Sequence, residues 1–208
     1  MSIARETGPA GQRTSQHASV RLLPAIFTYT QARELGLSEH RLYRLRDDQL
    51  IESLGRGLFQ RTDLAGDDRD LQAVAARAPR ATVCLRSALA RHGLIDDIPT
   101  EIDIAIPRDT RTPALDAPIK WHRFDPSTFN LGRDLLDIGA GQTLGIYSAE
   151  RSIADAFRLS GSEGPELGNE ALRRWLLHRS SSPAQLMALA AQLPRASSAL
   201  RRSLQILL

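Results

Sequence analysis

The stretch from Thr28 to Thr62, TYTQARELGLSEHRLYRLRDDQLIESLGRGLFQRT, constrains the fold more than any other part of the chain. Thr28-Tyr29-Thr30-Gln31 has the Ser/Thr-x-x-Gln form of a capping box, so a helix starts at Thr28. That helix is short, because Gly36 favours the left-handed conformation that ends one. Ser38 is a good N-cap for a second helix running from Glu39 to about Gln49. In it Leu42 and Leu45, three apart, make one buried side. At roughly 100° per residue the opposite side carries His40, Tyr43, Arg44 and Asp47, with Arg41 and Arg46 on its edges. Leu50–Ser53 and Leu58–Gln60 read as two short strands bracketing Leu54-Gly55-Arg56-Gly57, whose glycines allow a tight turn. Helix, turn, helix and hairpin in this order are the pattern of a winged helix-turn-helix.

That pattern carries an expectation about partners. The first turns of such a second helix enter the DNA major groove, where an arginine reads guanine with two hydrogen bonds. His40, Tyr43 and Arg44, with Arg41 beside them, occupy those turns. Arg56, at the tip of the hairpin, is placed to reach a phosphate or a narrow minor groove. Asp47 and Asp48 repel phosphate and are expected to tilt away from a duplex.

Around this stretch the chain divides into an arm, a joint and a larger second domain. Residues 1–15 are polar and are expected to be a disordered arm. From Gln16 to Phe27, Ala18, Leu22, Leu23 and Ile26 fit a helical stripe, kinked or ended near Pro24. This places the winged domain at 16–62. Residues 63–80 form an acidic joint (DLAGDDRD) and a linking helix from about Arg69 to Ala78. An α/β domain fills 81–208. Its expected strands are 81–84, a strictly alternating Glu101–Ile106, Ile119–Phe124, Leu135–Ile138 and Thr143–Tyr147. A short helix is expected over 87–92, a longer one capped by Ser148, and three more over 166–179, 183–193 and 195–208. The fold class is therefore α/β (α+β): a winged helix followed by a mixed domain ending in a helical bundle.

Charge is distributed unevenly. Residues 1–62 carry nine Arg against six acids, residues 63–170 twelve basic residues against eighteen acids, and residues 171–208 six Arg and no acid. The basic head suits nucleic acid, while the acidic middle argues against a chain coated along DNA. No apolar run approaches the roughly 20 residues of a membrane span, and the first residues lack the apolar core of a secretion signal. A cytoplasmic protein is expected. Cys84 is the only cysteine, which excludes an internal disulfide and a cysteine-based zinc cluster.

Catalytic motifs are weak. Leu135-Leu136-Asp137-Ile138-Gly139-Ala140-Gly141 imitates the first motif of S-adenosylmethionine-dependent methyltransferases, but Thr143 replaces the third glycine and a strand is expected to follow, so a hairpin loop explains the glycines. Glu101 and Asp103, two apart on one strand, resemble a metal-binding carboxylate pair. The phosphate loop such enzymes need is missing, and the polar face of an amphipathic strand accounts for both. The five histidines show no metal-ligand spacing, and no Gly-x-Ser-x-Gly elbow occurs. No catalytic residue, cofactor or metal is expected. The alternative is a metal-dependent nucleic-acid-processing enzyme using Glu101 and Asp103, with the winged helix as its docking module, or a solitary winged-helix regulator.

The order Gly36-Leu37-Ser38, Leu42, Leu45, Leu50-Ile51, Arg56-Gly57-Leu58-Phe59 resembles the N-terminal winged helix of AbiEi-type antitoxins. Phe59 replaces the usual tyrosine, and Asp48-Gln49 the glycine that often ends the recognition helix. The likeness continues through Ser87-Ala88-Leu89, His92-Gly93-Leu94, Pro99, Ile106-Pro107, the run Ser148–Asp155 with Phe157-Arg158, and Asn169–Arg173. The resemblance implies a DNA-binding antitoxin and autorepressor of a type IV toxin–antitoxin operon, encoded beside a nucleotidyltransferase-like toxin. Its partners would be double-stranded operator DNA with inverted repeats, bound by two copies, and the toxin it counters functionally, without a requirement for direct contact. Carried over by position, the DNA contacts are Ser38, His40, Arg41, Tyr43, Arg44 and Arg56.

Overall fold

A computed structural model describes residues 20–64, 68–139, 141–163 and 165–208. The arm expected over 1–15, the start of the helix expected from Gln16, and Ala140 of the glycine turn lie outside the described residues, as do residues 65–67 of the joint. The fold is mixed α and β, with a three-stranded and a five-stranded sheet. The chain separates into two compact units. One holds residues up to Arg77 with segments 114–117 and 138–142; the other holds the remainder.

In the first unit, β1 (Ile26–Thr28) leads into α1 (Tyr29–Glu34) and α2 (Glu39–Asp47), followed by β2 (Ile51–Gly55), β3 (Leu58–Arg61) and α3 (Arg69–Arg77). The sheet order is β1-β3-β2, antiparallel throughout. The capping box at Thr28 forms as the sequence dictates: its hydroxyl accepts from Gln31 N, and its own N–H donates to Gln31 Oε1 at 2.8 Å. Gly36 takes φ +81° at the end of α1, where Gly36 N donates to Arg33 O and Leu37 N to Ala32 O. This double closure satisfies carbonyls the helix leaves open. Leu23, Phe27, Ala32, Leu37, Leu42, Leu45 and Ile51 fill the core between the helices and the sheet.

One expectation holds in part. The first helix ends before Pro24, as one of its two alternatives has it, but Ile26, drawn into the helical stripe, is not helical. Ile26–Thr28 is a strand paired with Leu58–Gln60, and Leu22 points to solvent at 75% exposure. Pro24 cannot donate to a helix ladder. Beyond it Phe27 gains a cross-strand partner in Phe59, the rings stacking at 5.7 Å.

The other face of the sheet is covered as well. Ile26, Leu54 and Leu58 bury against Ala73 of α3, with Leu115 packed on the same cluster. Two glutamines cross this layer: Gln60 Nε2 donates to Gln72 Oε1 (3.1 Å), and Gln72 Nε2 to Ile138 O (2.8 Å). Both are fully buried, and the bonds offset part of the cost of removing their amides from water; among the described residues Gln60 Oε1 has no hydrogen-bond partner.

In the second unit, β4 (Thr82–Val83), α4 (Leu85–Arg91), β5 (Ile102–Pro107), β6 (Ile119–Phe124), β7 (Arg133–Asp137) and β8 (Thr143–Tyr147) precede the helices α5 (Ala149–Arg158), α6 (Ser160–Glu163), α7 (Pro165–Leu176), α8 (Pro183–Ala190) and α9 (Ser197–Leu207). The sheet order is β6-β5-β4-β8-β7, with β6 parallel to β5 and β4 parallel to β8. β7 and β8 form an antiparallel hairpin, so a strand follows the glycine turn, where a methyltransferase needs a helix. α5 is buried on every side from Arg151 to Phe157. Its Ile153, Ala154 and Phe157 meet Leu167, Leu172 and Trp175 of α7, Leu186 of α8 and Leu200 of α9.

β5 corrects a second expectation. Its alternation predicts one wet face carrying Asp103, yet Asp103 is 3% exposed. The strand lies inside the sheet, and both faces are covered.

Candidate nucleic-acid interface

α2 is positioned by its cap and its two leucines. The Ser38 hydroxyl accepts from Arg41 N at 3.3 Å, as an N-cap should. Ser38 thus has a structural task already. Leu42 and Leu45 are buried and fix the rotation of the helix, leaving His40, Tyr43, Arg44, Arg46 and Asp47 exposed and Arg41 half-buried. This matches the wheel drawn from the sequence. The helix ends at Asp48, and Gln49 takes φ +58°, a left-handed backbone that glycine adopts more easily. Gln49 N donates to Arg46 O and Leu50 N to Leu45 O, the same closure found after α1.

The exposed side chains of α2 are paired along the helix. Arg44 Nη2 donates to His40 Nε2 at 3.2 Å, an i,i+4 contact. The Arg46 guanidinium lies 5.0 Å from the Tyr43 ring centroid and bonds Asp47 Oδ1 at 3.2 Å. Asp47 is therefore neutralised locally by its neighbour. Arg46, which the sequence places on the edge, forms a cation–π contact with the central tyrosine.

Arg56 sits exposed in the two-residue turn between β2 and β3. Its carbonyl accepts from Arg77 Nη2, so α3 grips the turn from its backbone. Arg61, one of six arginines in the Thr28–Thr62 stretch, is not on this surface. It is buried, donates to the Leu23 carbonyl at 3.0 Å, and holds Asp63 with two bonds. Those bonds keep the Asp63 carboxyl below the usual range.

The second unit holds a polar cluster that sequence reasoning missed. His122 Nε2 donates to Asp103 Oδ1 at 2.7 Å, and Asp103 N donates to the Ser87 hydroxyl at 2.8 Å. Lys120, the only lysine of the chain, bonds the buried Glu163 at 2.9 Å, which raises the lysine pKa. A cleft of about 320 Å³ opens beside them, walled by Arg86, Asp97, Thr100, Glu101, Asp103 and Lys120. Among the described residues no group of three or more His, Cys, Asp or Glu side chains is arranged to hold a metal ion. The β5–β6 register, which sets Asp103 beside Lys120, was the missing signal. Cys84 is fully buried, and that burial pushes its thiol pKa well up, away from reactivity.

Comparison with solved structures shows similarity to the crystal structure of RV2827C protein from Mycobacterium tuberculosis. The TM-score is 0.58 over 96% of this chain and 81% of that one, at 18% identity. At this identity the likeness is one of fold. No protein-family model matches the chain, and no curated protein matches it. Among the described residues no helix is long and apolar enough to cross a membrane.

Proposed function

We propose that residues 26–61 are a winged helix-turn-helix that reads double-stranded DNA, and that the chain is the cytoplasmic antitoxin and autorepressor of a type IV toxin–antitoxin operon. The observation that carries the DNA half is the solvent face of α2. His40, Tyr43 and Arg44 lie exposed opposite the buried Leu42 and Leu45, immediately after the Ser38 cap. A strand, two helices and a hairpin with an exposed arginine in its turn give that face a wing. The antitoxin half rests on the ordered resemblance to AbiEi-type proteins. In this reading Ser38 caps the recognition helix, Arg44 reads bases, Arg41 and Arg56 hold the backbone, and two copies bind inverted repeats. The second unit counters a nucleotidyltransferase-like toxin without a need for direct contact. The competing metal-dependent enzyme draws less support, because His122 occupies an Asp103 oxygen.

The test is a binding titration against a duplex from immediately upstream of the gene, with a scrambled duplex as control, at several salt concentrations. Arg44→Ala is expected to lower preference for the upstream duplex by about 1–3 kcal/mol. Arg56→Ala is expected to weaken both duplexes alike and to reduce the logarithmic salt slope by about 1. Equal affinity of the unaltered protein for both duplexes would falsify the repressor reading.

A further inference from the structure

The contact between His40 and Arg44 assigns His40 a part beyond touching DNA. We infer that His40 is a positioning residue, whose neutral imidazole holds the Arg44 guanidinium in the orientation that reads a base. The inference rests on the DNA-reading role proposed above.

Arg44 carries only donors, so the 3.2 Å contact with His40 Nε2 requires an imidazole nitrogen that accepts. That nitrogen is unprotonated, and the ring proton sits on Nδ1. The two residues are i,i+4 on α2, where side chains stack one turn apart. A long exposed arginine otherwise samples many rotamers, and ordering it on binding costs entropy. With one terminal nitrogen tethered, the guanidinium keeps donors free for a bidentate contact with guanine. Protonation of His40 removes the acceptor and puts two positive charges one turn apart.

On α2 the neighbours are Glu39, Arg41 and Tyr43, and the ring of Tyr43 is engaged by Arg46. From α1, Arg33 donates to the Leu37 carbonyl. From β2, Glu52 is paired with Arg69. Discrimination between sequences should therefore fall as His40 gains a proton, while general attraction to phosphate rises. Those opposite trends separate this mechanism from a simple histidine–phosphate contact, which would strengthen binding to any duplex and leave discrimination unchanged.

The experiment measures the affinity ratio between the upstream duplex and a scrambled duplex for the full chain as the pH is lowered from about 8 to about 5.5. The ratio is expected to fall about tenfold on acidification, the lower end of one bidentate base contact. His40→Ala should show the lowered ratio at every pH. His40→Gln, whose side-chain oxygen can still accept, should keep a high ratio and lose the pH dependence. Adding His40→Ala to Arg44→Ala should change nothing further, because the tethered group is already gone. A ratio independent of pH and unchanged in His40→Ala overturns the positioning role while leaving the DNA-reading assignment intact. A ratio near one for the unaltered protein at every pH overturns that assignment, and this inference with it.

Discussion

The arginines of α2 and those of α5 are used in opposite ways. On α2, Arg44 and Arg46 stand in solvent and contact neighbours on their own helix. On α5, Arg151 is fully buried. It donates to Asp155 at 2.9 Å and to the Thr128 and Leu131 carbonyls at 2.7 Å, and lies 4.4 Å from the Tyr147 ring centroid. Arg158 completes the network by bonding the other Asp155 oxygen at 2.8 Å. Both pairs are formally charged and each sits on a single helix. One pair remains available to a partner, and the other holds a loop and a helix together. Net charge therefore says nothing about function until burial is known.

The largest effect that tests this contrast is Arg151→Ala. It leaves the Asp155 carboxylate buried with one partner fewer, removes the side-chain donor from Leu131 O, and leaves Thr128 O with the Leu131 N–H. A loss of about 3–5 kcal/mol is expected in chemical denaturation. A loss below about 1 kcal/mol would erase the distinction between the two pairs.

Gly132→Ala comes next. Gly132 has φ +64°, and a Cβ there would lie 2.8 Å from Arg151 Cβ. Backbone strain and the displaced arginine together should cost about 2 kcal/mol or more. A near-neutral result would show that the Arg151 site is loose.

Tyr147→Phe sharpens the same region. The Tyr147 hydroxyl donates to Phe129 O at 2.8 Å, so its removal should cost about 1 kcal/mol at neutral pH. Burial pushes the phenol pKa well above its ordinary 10.0. The folded state therefore holds that proton more tightly than the unfolded one. The stability involved is complete below about pH 10 and is lost as pH rises through the folded value. Alkaline denaturation of Tyr147→Phe should be shallower than that of the unaltered protein.

The smallest expected effect on stability is that of Arg44→Ala, within about 0.5 kcal/mol, because the side chain is exposed and its bond is to another exposed side chain, His40. Thermal melting checks it. A large loss would mean that α2 depends on its surface pairs, and that weakened DNA binding by this variant reports misfolding.

Much of the first unit was legible because its signals are local. Thr28 and Gln31, Ser38 before α2, and Gly36 after α1 act within four residues of chain, and each takes the role its chemistry dictates. The buried Leu42 and Leu45 also set the exposed side of α2. β1 was not legible, since a three-residue strand depends on Leu58–Gln60, some thirty residues later. Gln49 was read only as a departure from glycine; the fold places it in the left-handed backbone that glycine would fill. The His40–Arg44 contact had a visible i,i+4 spacing, yet its direction depends on rotamers that solvent-exposed side chains choose in three dimensions.

By itself the sequence determined the order of elements, the caps, the hairpin and the glycine turn after Asp137, because neighbouring residues settle these through backbone hydrogen bonds and side-chain period. Only the tertiary structure decided which charges are in water. The Glu101–Ile106 alternation announced a wet face at Asp103, and sheet order buried it beside His122. The i,i+4 spacing of Arg151 and Asp155 does not mark them as buried, yet in the fold both lie fully out of water. The physical reason is range: hydrogen bonding and rotamer preference act between adjacent turns, whereas desolvation depends on every element that packs against a residue.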